Sequence, residues 1–88
     1  MSTPSTGLNQ AQVDAAAKQM TGRLMSAIAN RPLQNKWCVS EPVSPLNVAA
    51  AAQAAAEINR VTYHSAEVHQ SNGVVAVLVE NLTDHPTL

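Results

Sequence analysis

His64, Glu67 and His69 are the side chains in this sequence whose types first suggest chemistry, since imidazoles and carboxylates hold divalent metals and relay protons. A metal site needs three or four such groups converging on one point. Their spacing prevents that in a regular strand, where successive side chains alternate between faces: Glu67 and His69 share one face and His64 lies on the other. Glu67 and His69, with Glu80 nearby, then read as an exposed polar strand surface. Cys38 is the one cysteine, and nothing around it in the sequence would activate its thiol, so it reads as small core filler. Asp84 and His85 stand beside Pro86 in a short tail. Glycines at 7, 22 and 73 are too scattered to cradle a phosphate, and no serine, histidine and aspartate set can be assembled from the spacing. The sequence therefore predicts no catalytic residue, no metal site and no cofactor.

The elements that position these residues can be read in order. Asn9 and Gln12, three apart, have the form of a capping box, and a helix follows in which Val13, Ala17, Met20, Leu24 and Ile28 make one apolar stripe. Asp14 and Lys18 stand four apart as a supporting ion pair. Pro32 biases Arg31 away from helix, so the element ends near Asn30; Gly22 inside it implies close packing or a bend. Trp37, Cys38 and Val39 centre a short strand from about 35 to 40, closed by Pro42 and Pro45. Ser44 as cap and Pro45 at the first helical position then open a second helix running to about Arg60. Seven alanines between 49 and 56 let this helix approach its neighbours closely; Val48, Ala51, Ala52, Ala55 and Ile58 fall on one side, and Gln53, Glu57 and Arg60 form a polar strip.

Asn72-Gly73 is the strongest local signal for a two-residue hairpin turn. It pairs Ser71 with Val74, Val68 with Val77, Glu67 with Leu78 and Ala66 with Val79. One face then collects Ala66, Val68, Val75, Val77 and Val79 against the helices. The other collects Tyr63, Ser65, Glu67 and His69 beside Val74, Ala76, Leu78, Glu80 and Leu82. The arm before the turn, from 61 to 70, alternates like an edge strand. The arm after it, from 74 to 82, is apolar on both faces, as a strand with neighbours on both edges must be.

A central third strand gives a topology. The chain is expected to be an α+β domain of order α-β-α-β-β, with a three-stranded mixed sheet in the order 1-3-2 and both helices on one face; the first two strands are parallel. Residues 1–8 and 84–88 read as tails around a single domain at 9–83. The uncovered sheet face is the expected interface, formed by Trp37, Tyr63, Glu67, His69, Val74, Leu78, Glu80 and Leu82.

Composition narrows the class. With 88 residues, no Phe and one cysteine, the chain has a thin core and no internal disulfide, so a partner or a second copy is the expected supplement. Five Lys and Arg against six Asp and Glu supply no basic stripe for nucleic acid. No signal peptide or run of about 18 apolar residues occurs, which makes a soluble cytoplasmic setting and no membrane contact the expectation. The expected function is a small non-enzymatic protein-binding or assembly module: a subunit, adaptor or inhibitor of the size and alanine content of a bacterial or phage accessory protein. Its partner is itself, as a homodimer or larger, or another protein. A nucleic-acid-binding domain and an accessory subunit of an enzyme are the alternatives.

Overall fold

Asn9 begins the first helix by accepting the Ala11 N–H on its Oδ1 at 2.8 Å. In the computed structural model, which describes residues 9–81, the elements are α1 (Gln10–Asn30), β1 (Lys36–Pro42), α2 (Pro45–Val61), β2 (Ser65–Ser71) and β3 (Val74–Glu80). Val13, Ala17, Met20 and Leu24 are buried on α1 and Ile28 packs at their margin, so the stripe read from spacing is the packed one. At the far end the Arg31 N–H donates to Ala27 O at 2.9 Å, with Pro32 next in the chain. A Cβ at Gly22 would meet nothing within 4 Å, so close packing is not what places glycine there.

Ser44 caps α2, its Oγ accepting the Asn47 N–H at 3.0 Å, and Pro45 occupies the first turn. The buried side of α2 is Ala50, Ala51, Ala54, Ala55 and Ile58. Ala52, expected on that side, is exposed, and the stripe is turned toward Ala50 and Ala54. The helix has two neighbours, α1 on one flank and β2 and β3 beneath it, and the alanines let it approach both.

The hairpin forms as its dipeptide predicts: Asn72 and Gly73 take φ of 53° and 78°, a geometry that glycine adopts without strain and asparagine tolerates. The β2–β3 register pairs Ser71 with Val74, Val68 with Val77, Glu67 with Leu78 and Ala66 with Val79. β3 is the central strand of the order β1-β3-β2. β1 and β2 run in the same direction as expected, but β3 lies between them and is antiparallel to both, so the sheet is antiparallel throughout and not mixed. This makes an α+β domain of order α-β-α-β-β with both helices on one face of a three-stranded sheet.

Three strand boundaries differ from expectation, and one of them is the end of β3, which stops at Glu80 rather than 82. β1 extends through Pro42, which an edge strand tolerates because the missing N–H would point outward. β2 starts at Ser65, not at 61: α2 runs through Val61, and Thr62 ends it by donating both its N–H, at 3.0 Å, and its Oγ1–H, at 2.7 Å, to Ile58 O. The core lies between the helices and the faces of Trp37, Val39, Ala66, Val75, Val77 and Val79. The tails assigned to 1–8 and 84–88, and Leu82, lie outside the described residues.

Candidate functional site: the open sheet face and its edges

Because β3 is paired on both sides, one register fixes what the uncovered face displays. Across the strands run Lys36, Glu80 and Ser65, then Cys38, Leu78 and Glu67, then Ser40, Ala76 and His69, then Pro42, Val74 and Ser71. The apolar groups lie on the β3 column at Leu78, Ala76 and Val74, with Cys38 and Pro42 beside them on β1. Val74 is 39% exposed, Leu78 and Ala76 are half-buried, and the β2 column is polar. His69 Nε2 lies 3.2 Å from Glu67 Oε1, joining the two neighbours on that column.

Five expected interface residues thus share the face: Glu67, His69, Val74, Leu78 and Glu80. Trp37 does not. It pairs opposite Val79 on the helix side, is buried there, and its indole N–H donates to Arg31 O at 3.2 Å. Tyr63 is also absent from the face, because β2 begins two residues after it; it sits in the α2–β2 connection and is 85% exposed. His64 lies just before β2 and packs by Trp37, their ring centroids 5.2 Å apart, on the helix side and so away from Glu67 and His69. Cys38 takes the place expected of Trp37: it is an exposed thiol in the row of Leu78, not core filler. Had the pairing of β1 with β3 been fixed from sequence, Lys36, Cys38 and Ser40 would have appeared on this face; only the hairpin half had a local signal.

No His, Cys, Asp and Glu group able to hold a metal occurs among the described residues. A groove between α1 and α2, lined by Asp14, Lys18, Thr21, Gly22, Gln53 and Glu57, has its first carboxylate already engaged. Asp14 Oδ1 accepts from Gln53 Nε2 and from Gln10 Nε2, each at 2.8 Å. These two amides, Gln53 foremost, hold its carboxyl below the usual carboxylate range; Lys18, the expected ion-pair partner, adds only a smaller pull.

The sheet edges are treated differently from the face. In antiparallel pairing, alternate residues turn their backbone N–H and C=O away from the neighbouring strand. On β1 these are Lys36, Cys38, Ser40 and Pro42, since Asn35 and Val43 bond inward to Asn81 and Gly73. Gln34 Nε2 donates to Lys36 O at 3.0 Å, Asn47 Nδ2 donates to Pro42 O at 2.7 Å, and Pro42 has no N–H, so the ends of β1 are guarded while the outward groups of Cys38 and Ser40 have no partner among the described residues. On β2, Ala66, Val68 and Gln70 point outward. There Asn59 of α2 acts as a substitute strand, accepting the Ala66 N–H on Oδ1 at 2.8 Å and donating Nδ2 to Ala66 O at 3.1 Å. The outward groups of Val68 and Gln70 have no partner among the described residues.

Comparison with protein families, curated proteins and solved structures found no match to this chain. No helix among the described residues is long and apolar enough to cross a membrane.

Proposed function

We propose that this chain is a small non-enzymatic assembly module that binds a protein surface, its own or another's, through the open sheet face. The observation that carries the reading is β3: a strand central in the sheet and apolar on both sides, with helices over Val75, Val77 and Val79 and no described element over Val74, Ala76 and Leu78. Apolar groups grouped on an uncovered face favour association, and a domain this small has few other sources of stability. Polar Glu67, His69, Glu80 and Lys36 around that strip resemble the rim of an interface more than a reaction centre. An exposed, unpaired thiol at Cys38 suits a reducing compartment such as the cytoplasm.

Light scattering across a concentration series tests this reading. For face-to-face self-assembly the parent mass rises well above the 9.3 kDa of one chain, and Leu78→Glu lowers it by placing a charge at the centre of the strip. For binding to another protein, Leu78→Glu abolishes capture while leaving the circular dichroism spectrum intact. A variant that assembles and captures like the parent would remove the face from consideration.

A further inference from the structure

The half-guarded β2 edge carries an inference that does not depend on what covers the face. We infer that β2 is a pairing edge for a second copy of this chain, arranged antiparallel about a two-fold axis at Val68. That register sets Val68 against its own counterpart in the second copy, with the outward N–H and C=O of each bonding to the other. It places Glu67 directly opposite the second copy's His69, and His69 opposite its Glu67, at the closely spaced positions of the ladder on the open face. Carboxylate and imidazole meet twice, and no like-charged pair faces across the axis. Shifting the register by two residues, so that Val68 meets Gln70, would instead set His69 against His69.

The same register brings Gln70 against Ala66, whose backbone groups Asn59 occupies. Pairing therefore releases the two Asn59 bonds and replaces them with two from Gln70 of the second copy, an exchange in which the hydrogen-bond count is unchanged. Asn59 is the gate: it keeps the edge satisfied in the free chain and yields to a strand that supplies the same donor and acceptor. The flank of α2 beside this edge leaves room, since exposed Ala52 and Ala56 lie three to seven residues before Asn59 on the same stripe. Two helices can approach there without large side chains between them.

The consequence is a six-stranded sheet of order β1-β3-β2 followed by the same strands reversed. One copy's open face has a plan area of about 340 Å² from strand spacing and rise, small beside the ~800 Å² each partner of a stable complex contributes. Joining two copies doubles that platform.

Sedimentation velocity on the full chain, run over a concentration series, tests the pairing. The parent is expected to reach twice the chain mass, and Leu78→Ser, which removes the apolar group from the open face without setting a second carboxylate opposite Glu67, to retain that dimer. Val68→Pro, which removes an outward N–H at an edge where proline is tolerated, is expected to be monomeric with an unchanged circular dichroism spectrum. His69→Glu should weaken dimerisation by about tenfold, because attraction at two symmetric positions becomes repulsion. Combining it with Glu67→His, which restores opposite partners, should bring the dimer back. Asn59→Ala should tighten it by opening the gate. A parent monomeric at every concentration overturns the inference, as does a charge exchange that fails to rescue. Loss of the dimer in Leu78→Ser but not in Val68→Pro would assign self-association to the face and not to the edge.

Discussion

Asp14 and Asn59 show how much a single amide contact contributes in a chain with so few charges. Asp14 has its carboxyl held low chiefly by Gln53, so the ionised form is favoured by folding. A depressed folded-state value contributes stability that is present above the ordinary carboxylate range and disappears as pH falls through the folded value. Thermal melts from neutral to strongly acidic pH should therefore show a smaller acid-dependent loss in Gln53→Leu than in the parent; identical pH profiles would refute the assignment. Neither contact was legible in the sequence. Asp14 and Gln53 are 39 residues apart, and the spacing of Asp14 to Lys18 offered a nearer partner that contributes less. Asn59 precedes Ala66 by only seven residues, but the contact requires the helix to end and the strand to reverse between them.

Among the elements, those fixed by local chemistry were the most readable. Caps at Asn9 and Ser44 and the Asn72-Gly73 turn act within a few residues, and each specified its boundary or register. The first strand lacked such an anchor. Its facing is decided by its ladder with β3, which sequence does not give, so reading Trp37 outside and Cys38 inside is the reverse of their positions. Tyr63 falls outside the sheet because Val61, which by its apolar type could as well begin a strand as finish a helix, finishes the helix, and the Thr62 bonds to Ile58 decide it. The alanines of α2 can be tested at this scale. Ala54 is wholly buried and Ala52 exposed, so Ala54→Leu should cost about 1–3 kcal/mol through overcrowding. Ala52→Gln should stay within about 0.5 kcal/mol of the parent. Urea denaturation at a fixed low protein concentration measures both, and equal costs would show the helix turned otherwise than described.

At the scale of the molecule, one thin core serves both helices and the sheet, and its largest fully buried side chains are Leu24, Ile58, Val75, Val77 and Val79. A domain of this size has a total stability on the order of 5 kcal/mol. Leu24→Ala should remove about 2–5 kcal/mol, enough to unfold a large fraction of the chain at 37 °C; a melt indistinguishable from the parent's would mean that α1 is not part of the cooperative unit. The backbone guards along the sheet margins respond to different conditions from the rest. Gln34, Asn47 and Asn59 carry no net charge, so added electrolyte leaves their contacts in place while it screens Arg23 from Glu41 and Arg60 from Glu57. Brine would thus loosen attraction between neighbouring ions without unlatching the strands beneath them, which sets the ionic strength of a sample apart from its acidity as a handle on this protein.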